Sequence, residues 1–382
     1  MWYFTEEEKQ LAEVCRQFAG NEIAPFAEKH DNDESFNHAA FKKMGELGVL
    51  GITADPEFGG AGMGATAATL VMEEFGKACP ALTLSYLAHS ILCVNNIQNN
   101  CSQAQKEKYL PKLISGEHVG CMGMSEPEYG SDAVNMKTSA KLDGDHYTIN
   151  GSKMWITNAN CSDIGYVYTR TGNERRDLTT FIVEKESGHY TTSKPIHKMG
   201  MRGSPTGELV FENAKVPTAN RVGEEGDSIY HLMKNLEIER LTISGISLGI
   251  AQACVDTCIK YVKERKQFGK AIGEFQMIQK MVADMATETN MMRSFLYNTC
   301  YQYDQGNKGA AVAAQVKLAI PKMATNIALN AIQILGGYGY SREFPVERLM
   351  RDAKLMEIGA GTNEIMVTII AKDLLGKELV KY

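Results

Sequence analysis

The amino-acid sequence predicts an α+β protein that is mainly helical. Three observations predict this fold class. Residues 1–119 carry apolar side chains at the spacing of helix faces, residues 120–222 alternate between apolar and polar side chains, and residues 223–382 return to long helical patterns. We therefore expect an N-terminal α-helical domain over 1–119, a compact β domain over 120–222 and a C-terminal α-helical bundle over 223–382.

Composition excludes several classes of protein. Apolar residues make up 44% of the 382 residues and charged residues 23%, as in ordinary soluble globular proteins. The 40 basic and 46 acidic residues give a net charge of −6, which argues against a nucleic-acid partner. Since the sequence has neither an apolar run of about 18 residues nor a basic leader before an apolar stretch, we expect no membrane span and no export signal.

Nine cysteines are dispersed along the chain without a CxxC pair. This pattern favours free thiols in a reducing compartment, either a bacterial cytoplasm or, for a processed chain, a mitochondrial matrix. Cys254 and Cys258 share one helix face, where packing is expected and metal binding is not. We therefore expect no metal site.

The N-terminal domain opens with a helix-start signature. Thr5 precedes an apolar-periodic run and Glu8 follows three places later, which is the arrangement of a capping box. Residues 56–64 (PEFGGAGMG) are rich in glycine, but they lack the Lys-Ser/Thr pair of a phosphate-binding loop and a clear βαβ frame. We interpret them as a connecting loop.

Turn dipeptides divide the β domain into strands. Asp143-Gly144 and Asn150-Gly151 are both flanked by β-branched and aromatic residues, so each predicts a turn between two strands. Residues 164–171 and 178–185 show the same alternation. Val216-Pro217 predicts a break in the chain after these strands.

The C-terminal domain contains three long helical patterns, over residues 247–269, 275–306 and 310–335. A final helix is predicted after GAGTNEI at 359–365. Long unbroken helices favour a four-helix bundle, an architecture that commonly packs further by forming oligomers.

Glu239 occupies a place that a helix face normally gives to an apolar side chain. Residues 228–251 predict a helix with one apolar stripe toward a core. The stripe consists of Leu232, Leu236, Ile243, Ile246 and Ile250. A carboxylate held against apolar surface has a raised pKa and can accept a proton near neutral pH. The alternative is a structural ion pair with Arg240 or with a more distant cation.

Two segments of the β domain could contact a flat cofactor. The turn-rich segment 122–132 offers hydroxyls and backbone N–H groups that could hold a heteroaromatic ring or a phosphate, and an ordinary loop is the alternative. Its candidate residues are Ser125, Gly130, Ser131 and Asp132. Trp155 and Thr157 lie two apart on one strand face, so the indole could stack on a ring beside a hydrogen-bonding hydroxyl. Packing in the core is the alternative there.

Three segments of the C-terminal domain could also contact a ligand. Arg265 could pair with a pyrophosphate and Phe268 could pack on an adenine, with Gln276 nearby, although a surface salt bridge is the alternative. Residues 333–340 (QILGGYGY) end a helix in paired glycines, which either admit a ligand close to the backbone or simply end the helix. Residues 359–365 offer free N–H groups at a helix start, where anions bind.

Together these segments resemble signatures of the acyl-CoA dehydrogenase family, in the same order and across essentially the whole chain. The matching motifs are MSEPEYGSD (124–132), KMWITN (153–158), ERKQFGKAIGEFQ (264–276), QILGGYGYSREFPVERLMRDAK (333–354) and EIGAGTNEI (357–365). The resemblance implies a β-barrel-like middle domain, a C-terminal four-helix bundle, FAD as cofactor and a homotetramer. It also implies desaturation of an acyl-CoA thioester, with electrons leaving to an electron-transferring flavoprotein.

The resemblance implies two sets of site residues. Those implied for FAD are Met122, Met124, Ser125, Gly130, Ser131, Trp155, Ile156, Thr157, Arg265, Phe268, Gln276, Gln333, Gly336, Gly337, Thr362 and Glu364. Five of them would be presented to FAD across a subunit contact, namely Arg265, Phe268, Gln276, Gln333 and Gly337. Those implied for the acyl-CoA are Ser131, Tyr230, Glu237, Arg240, Ala360 and Gly361.

One departure from the family pattern concerns the catalytic base. Most of the family places its catalytic Glu immediately before Gly-Thr, where this chain has Ala360. The isovaleryl-CoA dehydrogenase branch is similar to this chain here, because it has a small Gly-Ala pair in the loop and takes its base from the helix that opens the C-terminal domain. The matching acid in LEIERL (236–241) is Glu239. Leu87 departs from that branch, in which a glycine is expected.

The resemblance therefore implies that Glu239 removes the α-proton of an acyl-CoA while the β-hydride passes to flavin N5. The thioester carbonyl would accept hydrogen bonds from the backbone N–H of residue 360 and from the FAD ribityl chain. A small Gly359-Ala360 pair leaves room for a branched acyl group, which favours an isovaleryl-CoA-like substrate. The alternatives are a 2-methyl-branched, cyclic or aryl-bearing acyl-CoA, the reverse reduction of an enoyl-CoA, an acyl-CoA-binding flavoprotein without activity, and an oxidase.

Overall fold

The N-terminal domain is built of helices. A computed structural model describes residues 4–376 and 378–380 of the chain. The first helix begins after Thr5, whose hydroxyl accepts the Glu8 N–H at 3.2 Å while the Glu8 carboxylate accepts the Thr5 N–H at 2.8 Å. This confirms the predicted capping box. The helices are α1 Glu6–Phe18, α2 Ala27–Asn32, α3 His38–Glu46, α4 Ala65–Ala78, α5 Pro80–Leu87, α6 Asn95–Asn100 and α7 Gln103–Ile114.

A π-helical turn at Ala88–Val94 joins α5 to α6 and anchors the β domain. The buried His89 in this turn accepts the Gly120 N–H on Nδ1 at 2.9 Å, and its Nε2 donates to the Leu113 carbonyl at 3.0 Å. Because burial lowers the pKa of His89 to about 3, the ring stays neutral and keeps one donor and one acceptor. The π turn therefore fixes the position of the first strand.

The middle domain is a mixed sheet. Its strands are β1 Gly120–Gly123, β2 Ser139–Asp143, β3 His146–Thr157, β4 Ile164–Arg170, β5 Leu178–Glu184, β6 Thr191–Thr192, β7 Thr206–Pro217 and β8 Arg221–Val222. Their order across the sheet is β6-β7-β3-β2-β4-β5-β8, and β1 pairs in parallel with β4. The predicted turn at Asp143-Gly144 is confirmed, because it joins β2 to β3.

The turn predicted at Asn150-Gly151 is wrong. Both residues lie inside β3, where the pairing with β7 shifts register between Ile149 and Gly151. Gly151 adopts a φ of 136°, and a Cβ built there would lie 2.7 Å from the Thr138 Cα. The glycine therefore serves a bulge and a close backbone contact inside one long strand.

The C-terminal domain is a bundle of long helices, as predicted. Its helices are α8 Ser228–Glu264, α9 Gln276–Asp304, α10 Ala310–Leu335, α11 Gly337–Tyr340, α12 Val346–Met356 and α13 Asn363–Leu375. A short hairpin of β9 Lys266–Gln267 and β10 Lys270–Ala271 connects α8 to α9. The central α10 packs against α8, α9, α12 and α13.

Glycines bring α4 and α8 into backbone contact, which seats the N-terminal domain on the bundle. A Cβ at Gly249 would lie 2.6 Å from the Glu73 carbonyl oxygen, and one at Gly245 would lie 3.0 Å from the Thr69 carbonyl oxygen. The buried Glu73 carboxylate also accepts hydrogen bonds from Arg293 at 2.6 Å and from Tyr297 at 2.7 Å on α9. The glycine contacts fix α8 along the length that follows Glu239, and the Glu73 hydrogen bonds hold α4 on α9.

Two helices, α8 and α10, are long and apolar enough by composition to cross a membrane, with mean hydropathies of 1.3 and 1.2 over their most apolar windows. Packing inside the protein explains why both helices are apolar. The protein buries 72% of the α8 window and 50% of the α10 window, so both serve as core helices of the bundle.

Candidate functional site

Glu239 lies inside the protein on the apolar face of α8. Its side chain is only 5% exposed, and its neighbours on the stripe, Ile243 and Ile246, are equally buried. Among the residues that the structure describes, no cation forms an ion pair with Glu239 within 4.0 Å. The carboxylate therefore lacks the close partner that a structural ion pair requires.

The surroundings of Glu239 set its acidity. Burial raises the pKa of this carboxyl to about 7, and the Arg240 guanidinium and the Lys317 ammonium oppose that rise. Burial, with a smaller contribution from the Glu239 charge, also raises the pKa of Tyr168 on β4. The Tyr168 hydroxyl is buried and has no hydrogen-bond partner within the described part of the chain. Glu239 thus combines burial with a pKa suited to accepting a proton near neutrality.

The loop between α12 and α13 presents backbone groups instead of an acid. Ala360 adopts a left-handed conformation with a φ of 58°, and Gly361 follows with a φ of 92°. The Ala360 N–H donates no hydrogen bond to any described residue. Thr362 then starts α13 as predicted, because its hydroxyl accepts the Ile365 N–H at 3.4 Å. The loop can therefore offer an N–H to a ligand, but residue 360 cannot take a proton.

Lys317 on α10 contacts this loop and acts on Glu239 through its charge. Its side chain is fully buried and its Nζ donates a hydrogen bond to the Gly361 carbonyl. The Glu239 charge opposes the lowering of the Lys317 pKa, which burial brings to about 8. The sequence analysis missed this residue. The available signal was a lone lysine in the apolar run AAVAAQVKLAI at 310–320.

A buried ion pair holds the backbone of the segment after β1. Lys153 on β3 donates to the Glu126 carboxylate at 2.8 Å and to the Met124 carbonyl at 3.1 Å. The Ser125 carbonyl accepts the Met154 N–H at 2.8 Å. Met124 and Ser125 are both half-buried, so one side of each remains open to a ligand.

The same surface includes the end of β3. Trp155 is 58% exposed and adopts a left-handed φ of 64°, and Thr157 on the same strand is half-buried. Met122 on β1 is half-buried as well. Ile156 points the other way into the core of the β domain, so only its backbone can face a cofactor. The structure thus offers an open indole, a hydroxyl and backbone groups for a planar ring.

The remaining residues of the segment after β1 lie at the surface. Gly130 and Ser131 are both exposed. A Cβ built on Gly130 would meet no atom within 4 Å, so no packing within the described chain requires a glycine there. Their position in an open loop is compatible with a contact to an extended ligand.

The candidates of the bundle form a second surface. A cavity of about 800 Å³ is lined by Arg265, Phe268, Gly336 and Gly337, among other residues, and no residue of the β domain lines it. The Phe268 ring is 92% exposed, with a φ of 51°. Gln276 starts α9 and Gln333 lies in the last turn of α10, both exposed beside this cavity. On one chain, therefore, this cavity and the surface at the end of β3 share no lining residue.

Three of the candidates for acyl-CoA binding, Tyr230, Glu237 and Arg240, lie along the first turns of α8. Tyr230 is 68% exposed, while Arg240 is buried and its Nε has no hydrogen-bond partner among the described residues. Burial raises the pKa of Glu237, a half-buried residue, and the Lys308 and Arg240 charges oppose this. An unpartnered buried guanidinium nitrogen suits a polar group of a ligand.

The residues at both surfaces fit FAD. Trp155 and Phe268 both have positive φ values and exposed rings, which could stack on the flat isoalloxazine and adenine rings. Arg265 lies over the Tyr338 ring at 5.5 Å and leaves its charge available for a pyrophosphate. Glu364 is exposed in the first turn of α13, so its carboxylate is accessible to a ligand hydroxyl.

Three family models match consecutive parts of the chain. The acyl-CoA dehydrogenase N-terminal domain matches residues 5–117, the middle domain matches 121–214 and the C-terminal domain matches 227–375. Together these matches span nearly the whole chain and agree with the observed order of helical, β and helical regions.

Individual proteins are similar over the same length. Isovaleryl-CoA dehydrogenase, mitochondrial, of Pongo abelii is 46% identical over 374 residues, covering 96% of this chain and 88% of that protein. 2-Methylacyl-CoA dehydrogenase, mitochondrial, of Solanum tuberosum is 44% identical and covers 97% and 90%. A glutaryl-CoA dehydrogenase from Mycobacterium smegmatis, solved in complex with FADH2, is 27% identical, with a TM-score of 0.94 and coverage of 100% and 97%. The chain is an FAD-dependent oxidoreductase and belongs to the acyl-CoA dehydrogenase family.

Proposed function

We propose that the protein desaturates a short branched-chain acyl-CoA between Cα and Cβ, and that Glu239 removes the α-proton. One observation carries the proposal. A buried acid without an ion-pair partner among the described residues lies on α8, while Ala360 occupies the position of the family's usual glutamate in the loop before α13. Lys317 spans the two, because it contacts Gly361 and acts on the Glu239 charge.

The chemistry requires a base and a stabilised enolate. A thioester α-proton is weakly acidic, so its removal needs a carboxylate that is ionised yet poorly hydrated. Glu239 supplies this carboxylate from a buried position. The free Ala360 N–H supplies a donor for the thioester oxygen, where negative charge develops. When bound, FAD supplies the acceptor for the hydride that leaves Cβ.

The small loop supports a branched substrate. Gly359 and Ala360 add no bulk where most of the family carries a glutamate, which leaves space for a methyl branch as in isovaleryl-CoA. Leu87, buried at the end of α5, adds bulk where the isovaleryl-CoA dehydrogenase branch is expected to have a glycine, so it bears on which branched acyl group fits. The alternatives are 2-methyl-branched, cyclic and aryl-bearing acyl-CoAs, together with the reverse reduction of an enoyl-CoA by the same residues.

The proposal includes two protein partners. Electrons would pass to an electron-transferring flavoprotein, and four copies of the chain would assemble so that the cavity at Arg265 and Phe268 meets FAD held by another copy. The separation of the two FAD surfaces on one chain supports this assembly. A bacterial cytoplasm or a mitochondrial matrix would provide both the thioester and the electron acceptor.

Anaerobic bleaching of the flavin tests the proposal. Isovaleryl-CoA should bleach the wild type faster than 2-methylbutyryl-CoA, cyclohexanecarbonyl-CoA, 3-phenylpropanoyl-CoA or straight-chain hexanoyl-CoA. Glu239→Gln should retain FAD and lose rate by about 10²- to 10⁴-fold, because amides accept protons poorly. Glu264→Gln, at the exposed end of the same helix, is the matched control and should keep the wild-type rate. A normal bleaching rate in Glu239→Gln would show that another group is the base.

A further inference from the structure

Lys317 is a buried cation that the fold alone does not require. It lies in the interior of α10 with no exposed side-chain surface, between apolar neighbours such as Val316 and Ile320. An ammonium loses its hydration at such a place, which is unfavourable unless other groups compensate it. Apolar residues fill the adjacent positions of this helix, so the charge needs an explanation outside helix packing.

The hydrogen bond of Lys317 reaches the loop that precedes α13. Its Nζ donates to the carbonyl of Gly361, the residue after Ala360. Both loop residues adopt positive φ values, 58° at Ala360 and 92° at Gly361. A non-glycine residue in this conformation persists only where its surroundings hold it. The ammonium is therefore an anchor for the backbone that orients the Ala360 N–H.

The charges around Lys317 give it a second role. The carboxylates that act on it are Glu239 on α8, Glu357 in the loop after α12 and Glu364 on α13, and the opposing cation is Arg240. Glu357 already pairs with Lys354 at 3.3 Å, and Glu364 is exposed to solvent. Glu239 is the carboxylate of this group that burial deprives of water, so it has the most to gain from the Lys317 charge.

We propose that Lys317 is a positioning residue for the reaction: its ammonium holds the Gly359–Gly361 loop by the Gly361 carbonyl and provides the buried positive charge opposite the ionised Glu239. The inference rests on the proposed role of Glu239 as base. It adds that one side chain couples the orientation of the thioester-binding N–H to the protonation of the base.

The test measures the pH dependence of proton removal in the FAD-loaded enzyme. Lys317→Met removes charge and donor, and Lys317→Gln removes the charge but keeps an amide donor for the Gly361 carbonyl. In both variants the midpoint at which kcat rises with pH should move upward by about one unit, because the charge that favours ionised Glu239 is gone. At pH 7 kcat should fall about fivefold, because the ionised fraction of Glu239 drops from about one half to about one tenth, and it should recover near pH 9. KM should rise in Lys317→Met and stay near wild type in Lys317→Gln.

A second readout is independent of hydride transfer. A 3-thia-acyl-CoA has α-protons but no β-hydrogen, so exchange of its α-protons with deuterium reports proton removal alone. The midpoint of exchange against pH should move as the kcat midpoint does. Lys322→Met, on the exposed side of the same helix, should change neither midpoint.

Two outcomes separate this proposal from the proposed function. If Glu239→Gln is inactive while folded Lys317→Gln shows the wild-type midpoints, the role of Lys317 is overturned and the base assignment stands. If Glu239→Gln keeps normal rates, Glu239 is not the base, and the proposal for Lys317, which rests on that role, is overturned as well. Lys317→Gln, which preserves the polar contact, decides the matter even where the methionine variant does not fold.

Discussion

Burial sets the working pH of Glu239. Loss of hydration raises the pKa of its carboxyl to about 7, and only the ionised form can accept the α-proton. We therefore expect kcat to rise with pH through about pH 7 and to level off above it. An exposed glutamate titrates near pH 4.3, so it would give a flat profile from pH 5.5 to 9. Steady-state rates with an artificial electron acceptor over that interval decide between the two shapes.

At the scale of residues, the sequence located Glu239 but not the groups that surround it. An acid on an apolar stripe is visible in one helix pattern, because the period places Glu239 with Leu232, Ile243 and Ile246. Lys317 lies 78 residues away in the sequence, and its charge acts on Glu239 only because α10 packs on α8. Its lone position in an apolar run was the single local signal. Tyr168 gave no signal, because an aromatic residue is ordinary in a buried strand.

At the scale of elements, we expect the end of α5 to limit the space for a branched acyl group. Leu87 is 2% exposed and belongs to the same buried cluster as Ile238, the residue before Glu239. Leu87→Gly should enlarge the acyl pocket and raise the ratio of kcat/KM for isovaleryl-CoA over hexanoyl-CoA by about tenfold, the effect of one or two methylenes in an apolar pocket. The ratio is measured from initial rates with each thioester.

The control for this prediction separates the pocket from the helix. A glycine inside a helix costs about 1 kcal/mol, so Leu87→Gly should also lower the melting temperature. Leu82→Gly, on the opposite face of α5, should lower it similarly while leaving the substrate ratio unchanged. An unchanged ratio in Leu87→Gly would place the limit on acyl size elsewhere.

The elements themselves were predicted unequally well. Long helices such as α8, α9 and α10 were evident, because their apolar periods run for many turns. The two Asx-Gly dipeptides looked alike in sequence, yet Asp143-Gly144 forms a turn and Asn150-Gly151 forms a bulge inside β3. The difference arises from the pairing of β3 with β7, a contact between segments that are distant in sequence. Local patterns do not contain that information.

At the scale of the whole molecule, exposed apolar side chains predict self-association. Met277 and Met291 on α9, Leu329 on α10 and Leu374 on α13 are all about half exposed or more. We expect sedimentation analysis to give the mass of four chains. Leu329→Glu and Leu374→Glu should each reduce this mass, because a charge at an apolar interface is costly.

FAD content provides the second half of this prediction. If the cavity beside Phe268 meets FAD held by another copy, loss of assembly should lower the bound FAD per chain. Leu142→Glu replaces an equally exposed leucine on β2 and serves as the control, with mass and FAD content expected at wild-type values. A variant that dissociates fully and keeps all its FAD would contradict the shared cofactor site.

The backbone contact between α4 and α8 has a consequence for inherited or engineered variation. Gly249 lies ten residues beyond Glu239 on the same helix, about 15 Å along its axis. A side chain at 249 would meet the Glu73 carbonyl oxygen at 2.6 Å and would force the two helices apart. Because Glu239 lies on the same continuous helix, its carboxylate would then be displaced as well. A substitution at Gly249 would thus lower the rate of proton removal in a protein that still folds and still carries every residue of the reaction.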